Sequence, residues 1–126
     1  MVAGPYGLVS KTPEQRRQNL EAFRAAALAI QAKGHVPVVG LFLALPIALD
    51  LTTPVWEQDV TTLQFHLVDE LSRAAASRCD AVLRLTGESE GADAEVKIIR
   101  DHGGQIFRSI AEVPNVVHPG ATSTRA

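Results

Sequence analysis

Short apolar runs along the chain alternate with longer stretches whose apolar residues recur every three or four positions, a pattern that predicts strands and helices in turn. Met1-Val2-Ala3 reads as the tail of a strand that ends in Gly4-Pro5-Tyr6-Gly7, a turn-rich loop whose glycines tolerate close approach of a ligand. Thr12-Pro13-Glu14-Gln15 then has the form of a helix start, with Thr12 as N-cap, Pro13 at the first helical position and Gln15 completing a capping box. The helix is expected to run to about residue 33 and stop at Gly34. Its apolar row is Leu20, Phe23, Ala27 and Ile30, with Asn19 on the margin. His35-Val36-Pro37-Val38-Val39 reads as a second strand, at an edge because Pro37 lacks a donor for a central ladder.

Residues 40–54 resist assignment by period, because Leu41, Phe42, Leu43, Leu45, Ile47, Leu49 and Leu51 are too dense for one amphipathic face. Such a patch exceeds what a monomer usually exposes. A homodimer interface is the preferred explanation, and a loop buried within one subunit is the alternative. Farther on, Val60, Leu63, Leu67, Leu71 and Ala74 mark an amphipathic helix that ends before Cys79-Asp80 and a third strand, Ala81-Val82-Leu83-Arg84-Leu85. A fourth helix is expected from Gly91 to about His102, stopped by Gly103-Gly104, and Gln105-Ile106-Phe107-Arg108-Ser109-Ile110 reads as a fourth strand. The fold class that follows is α/β: a flavodoxin-like (Rossmann-like), doubly wound, mainly parallel sheet of four to five strands with helices on both faces. Residues 1–113 form the expected domain. Residues 114–126 form a C-terminal tail, expected to be partly flexible because Pro119-Gly120-Ala121-Thr122-Ser123-Thr124 has no apolar period.

Composition narrows the function classes. With 126 residues, 46% apolar and 21% charged, the chain fits one soluble domain with a core of ordinary size. A formal charge of −2 removes the electrostatic case for a nucleic-acid partner, which needs a basic face. Cys79 is the sole cysteine, so an internal disulfide and a thiolate cluster are both excluded, which favours a cytoplasmic setting. His35, His66, His102 and His118 have no ligand-like spacing, and no metal or other cofactor is expected in the chemistry. The N-terminus lacks the pattern of a cleaved signal peptide. The apolar stretch 36–51 is broken by Pro37, Gly40, Pro46 and Asp50, so membrane insertion is disfavoured.

Candidate chemistry gathers where the third strand runs through Thr86-Gly87-Glu88-Ser89-Glu90-Gly91 into the fourth helix. Free N–H groups at a helix start, with the positive end of the dipole, make a site for an anion. Ala92, Val96 and Ile99 form a core-facing row on that helix, and Glu95 falls on the same face. Gly91, one turn ahead of Glu95, leaves room in front of the carboxylate. A lone buried carboxylate costs several kcal/mol and is therefore usually paired, protonated or functional. The plainer alternative is a Glu95 that leans into solvent and a Ser89 that only caps the helix. In a doubly wound sheet the crevice opens beyond the carboxyl ends of the strands, which brings the loops at 4–7 and 86–91 together with Tyr6, Ser89 and Glu95. No Gly-x-Gly-x-x-Gly follows the first strand, and no phosphate loop or Gly-x-Ser-x-Gly elbow occurs.

Several segments carry a likeness that extends from Gly4 to about Ile110. They are Ala3-Gly4-Pro5-Tyr6, Asn19, residues 34–37, Cys79-Asp80-Ala81-Val82-Leu83 and Ser89-x-Gly91-x-x-x-Glu95. The chain resembles the nucleoside 2-deoxyribosyltransferase superfamily, and its motifs are most similar to the branch of 2'-deoxynucleoside 5'-phosphate N-hydrolases. The resemblance implies that Glu95 is the nucleophile that attacks the anomeric carbon and holds the sugar covalently. The chemistry is consistent with this, because a glycosidic C–N bond breaks through an oxocarbenium-like state that a nearby carboxylate stabilises and captures. Serine at position 89, where transferases of free nucleosides carry an acid, implies a nucleoside 5'-monophosphate substrate. Glu88 and Glu90 flank that position and count against a phosphate unless they turn outward.

A second carboxylate that assists the leaving base falls, by the same resemblance, to Asp69 or Asp59. Tyr6 would line the sugar or base pocket, although an aromatic there also commonly packs in the core. Gly4, Pro5, Asn19, Gly87, Ser89, Gly91 and Ala92 would contact substrate. The implied assembly is a homodimer that shares residues across the active site, with Asn115 or His118 as partner-side contacts. The expected activity is hydrolysis of a nucleotide N-glycosidic bond. Base exchange between deoxynucleosides and non-catalytic nucleotide binding are the alternatives. Two features depart from the family pattern: the short first strand and the apolar insert before Trp56.

Overall fold

The computed structural model describes residues 1–8 and 11–116. Three short strands, β1 (Val2–Ala3), β2 (Ala81–Arg84) and β3 (Gln105–Phe107), lie parallel in that spatial order. Val2 stands opposite Leu83 and Ala3 opposite Arg84, while Ala81 and Val82 pair with Gln105 and Ile106. Four helices accompany the sheet: α1 (Pro13–Ala32), α2 (Gly40–Ala48), α3 (Thr62–Ala76) and α4 (Glu90–Asp101). Alternation along the strands divides the core in two. Val2 and Leu83 join Phe23 and Ile30 of α1, whereas Ala3 and Val82 join Ala92, Val96 and Ile99 of α4.

The capping box at α1 forms as the sequence predicts. The Gln15 N–H donates to Thr12 Oγ1 at 3.2 Å and the Thr12 N–H donates to Gln15 Oε1 at 2.9 Å. The chain leaves the helix through Gly34, whose φ of +93° suits a residue without Cβ. Beyond it, Lys33 Nζ donates to the Val113 carbonyl at 2.8 Å and the Val116 N–H donates to the Lys33 carbonyl at 2.8 Å. The first residues of the expected tail are thus tied to the end of α1. The rest of that tail, including His118, lies outside the described residues.

Two expectations are corrected. The sheet has three strands rather than four or five, because the segment 35–39 joins it only by a single parallel bridge between Val2 and Val39. The Val2 N–H donates to the Val38 carbonyl at 2.8 Å, but Pro37 has no N–H to offer and β1 is two residues long, so no ladder propagates. The second correction concerns α3. Its buried residues are Val68, Ser72 and Ala76; of the expected row, Val60 and Leu71 pack half-buried against the core, while Leu63 is 79% exposed and Leu67 and Ala74 also face outward.

The cause lies in the run at 40–54, whose first nine residues form the helix α2. A Cβ on Gly40 would come within 3.0 Å of Ser72, so the small residues Gly40 and Ala44 of α2 allow close approach to the small side of α3. Leu45 enters the core, while other large side chains are left outside. Phe42, Leu43 and Ile47 of α2 are exposed together with Leu63 and Leu67 of α3. Among the described residues, no helix is long and apolar enough to cross a membrane.

Candidate active site

The site is built from the carboxyl end of β2 upward. After Arg84 the chain turns through Gly87, whose φ is +114°, and enters α4 at its N-cap, Ser89. A Cβ on Gly87 would lie 2.9 Å from Pro5 Cγ, and one on Gly4 would lie 2.9 Å from Leu85 Cβ. The loops after β1 and β2 therefore pack on each other through their glycines, and this brings together the two segments that the strand order predicts. Beside them opens a cleft of about 380 Å³ lined by Pro5, Lys11, Gln15, Gln18, Asn19, Gly87 and Glu88. Asn19 Nδ2 donates to the Tyr6 carbonyl at 2.9 Å, so the same side chain lines the cleft and fixes the first loop.

At the start of α4 the Ser89 hydroxyl accepts the Ala92 N–H at 3.1 Å and the Ser89 carbonyl accepts the Asp93 N–H at 3.0 Å. Ser89 is thus an N-cap, and helix geometry leaves the N–H groups of Glu90 and Gly91 without intrahelical acceptors. A Cβ on Gly91 would meet only Ser89 Oγ, at 4.0 Å, so the space over the first turn is open. Glu88 and Glu90 are both exposed.

Glu95 is 9% exposed and shares the buried face of α4 with Ala92, Val96 and Ile99, as the helical spacing predicts. Burial raises its pKa from the ordinary carboxylate range to about 8. The negative charge of Asp69 adds to the rise, and the Met1 amino group, Arg84 and Arg73 oppose it. At neutral pH the protonated acid is therefore the major form. Asp69, partly buried on α3, accepts Arg73 Nε at 3.1 Å. Of the two candidates for a second carboxylate, Asp69 is the one that acts on Glu95; Asp59 is exposed and is not among the groups that do.

The remaining predicted site residues are placed differently. The Tyr6 side chain is 5% exposed and packs in the core on the α1 face of the sheet with Val2, Phe23 and Leu83, so it does not line the cleft. Burial raises its pKa, while the charge of Arg16 pulls the other way. The buried Tyr6 hydroxyl has no hydrogen-bond partner among the described residues. Ala92 is buried against the sheet, Asn115 is exposed, and Glu95 itself lines neither the cleft described above nor a second one. That second cleft, of about 430 Å³, includes Met1, Cys79, Asp80 and Ala81 at the amino ends of the strands, away from the start of α4.

Sequence reasoning missed two buried arginines. Arg16, 3% exposed, donates through Nε to the Trp56 carbonyl at 2.8 Å and through Nη1 to the Lys11 carbonyl at 2.7 Å, and so secures two loops near the cleft. Its signal was its spacing: it falls four residues before Leu20 and seven before Phe23, on the same helical stripe. Arg84, 6% exposed, is the charged residue within an otherwise apolar strand, and it holds the loop that leads into α4. No known protein family, curated protein or solved structure matches the chain.

Proposed function

We propose that the chain is a hydrolase that cleaves the N-glycosidic bond of a nucleoside 5'-monophosphate, with Glu95 as nucleophile. The observation that carries this reading is a buried carboxylate on α4, near Asp69 and one turn behind the open first turn at Gly91. The amides of Glu90 and Gly91 and the Ser89 hydroxyl suit a phosphate at the helix start. In the reaction the ionised Glu95 attacks the anomeric carbon as the C–N bond breaks, and the base leaves with the bonding pair and takes a proton from water. Water then attacks the same carbon, gives up a proton, and frees Glu95 and the sugar phosphate.

The finer architecture belongs to the same reading. The bridge at Val39 continues the sheet in the order expected of a flavodoxin-like fold, with the segment 35–39 beside β1. The exposed apolar residues of α2 and α3 fit the contact between two copies of the chain, as a homodimer. A second reading, non-catalytic nucleotide binding, is favoured by one observation: Glu95 does not line the cleft between the glycine loops.

Incubation with a panel of ribo- and deoxynucleoside monophosphates, read by chromatography of free base, separates the two. The hydrolase reading expects base release that rises between pH 6 and pH 8 as Glu95 ionises, and that Glu95→Gln abolishes. Saturable nucleotide binding without any base release would replace it with the binding reading.

A further inference from the structure

The feature that the proposed reaction leaves unused is a guanidinium buried at the carboxyl end of β2. Arg84 shares its face of the sheet with Ala3, where a charge is costly unless its donors are satisfied. Its Nη2 donates to the Gly87 carbonyl at 2.9 Å and to Asp93 Oδ1 at 3.1 Å, its Nε reaches the same carboxylate oxygen at 3.3 Å, and its Nη1 donates to the Leu85 carbonyl. One planar group thus ties together the strand end, the glycine turn and the first turn of α4, which only a forked cation can do. Asp93 is 71% exposed, so water screens much of its charge and the buried positive charge is only partly cancelled.

We propose that Arg84 is a positioning residue that holds the 86–89 loop at the mouth of the site and fixes a buried positive charge on the sheet face against which the helix of Glu95 packs. The proposal deepens the hydrolase reading and rests on it for its catalytic consequence. The charged groups around Glu95 leave Arg84 a distinct part. From α3 come Asp69, the charge that most opposes ionisation of Glu95, and Arg73, paired with it at 3.1 Å and the weakest of the three cations that favour ionisation. From the residue before β1 comes the Met1 amino group, which donates to the Ala81 carbonyl at 2.7 Å. The strand β3 carries no ionisable side chain, and α4 itself offers Asp93, already engaged by Arg84. Arg84 is the cation among these that is both buried and paired with an exposed acid.

The test follows the Glu95 carboxyl carbon by NMR against pH in the full chain, with Glu95→Gln to assign the signal, and compares Arg84→Met with Arg84→Lys. In Arg84→Met the Glu95 midpoint should rise by about one pH unit, which leaves roughly tenfold less carboxylate at neutral pH. Lysine keeps the charge but not the fork. Arg84→Lys should therefore hold the midpoint near the native value while the order parameters of Gly87 and Glu88 fall below about 0.6 and KM rises with kcat kept. An unmoved midpoint in Arg84→Met, or an unaltered loop in Arg84→Lys, overturns the proposal. If Arg84→Met fails to fold by circular dichroism, the loop in Arg84→Lys decides. A midpoint shift in a protein whose native form releases no base sinks the hydrolase reading and leaves the Arg84 assignment standing. Base release with an unmoved midpoint does the reverse.

Discussion

The helices α3 and α4 pack against each other and each brings a carboxylate to the site, yet their apolar stripes mean different things. On α4 the stripe of Ala92, Val96 and Ile99 faces the sheet, so the acid that interrupts it is buried with it. On α3 Leu63, Leu67 and Ala74 face outward, and the fully buried side is Val68, Ser72 and Ala76. The partner decides. On the sheet Val96 and Ile99 are buried from the helix above it, whereas α2 meets α3 with Gly40 close against Ser72 and leaves Leu63 and Leu67 outside. A stripe identifies a buried face only when its partner has room for it, and a surplus of apolar residues on a helix packed through small ones points to a second contact.

The largest expected effect tests the α4 side of this comparison. Glu95→Gln keeps the shape of the side chain and removes the proposed nucleophile, so base release should fall by at least about a thousandfold in a steady-state assay. Retention of more than a tenth of the rate would place the chemistry elsewhere. The same variant has a signature in stability. The folded-state pKa of Glu95 is raised to about 8, so at pH between the ordinary carboxylate range and 8 the unfolded chain loses the proton while the folded protein keeps it. Native stability should therefore be full at low pH with respect to this group and fall as pH rises towards 8, by a cost on the order of a few kcal/mol. Urea unfolding at pH 5 and pH 8 should show this drift in the native protein and not in Glu95→Gln. Equal drift in both would mean that Glu95 is not buried as described.

Smaller effects test α3. Val68→Ala removes buried methyl groups and should cost about 1–3 kcal/mol of folding stability. The pair Leu63→Ser and Leu67→Ser should change monomer stability by less than about 1 kcal/mol and yet shift a sedimentation profile towards monomer. A reversed ranking, with the leucine variants unfolding the chain, would restore the outward row as core.

Much of the site was legible because it depends on local rules. The spacing of Ala92, Glu95 and Ile99, the cap at Ser89 and the glycines at 4 and 87 each follow from one helix or one turn. What stayed hidden depends on partners distant in sequence. The residues at 35–39 looked like a strand by composition, but the ladder failed on Pro37 and on the brevity of β1. Tyr6 lies at the predicted place in the chain, but its ring turns to the α1 face, a choice made by the core rather than by the loop. Arg84 passed unremarked within an apolar strand, and its role required knowing that the Gly87 carbonyl and Asp93 converge on it.

The most direct measurement of the central claim is covalent trapping. Incubation with a 2'-fluoro nucleoside 5'-monophosphate, which slows breakdown of a glycosyl intermediate, should be followed by proteolysis and mass spectrometry. The account expects one added sugar phosphate on the peptide that contains Glu95, absent from Glu95→Gln. Base release with that peptide unmodified, or with the adduct on another residue, would contradict it.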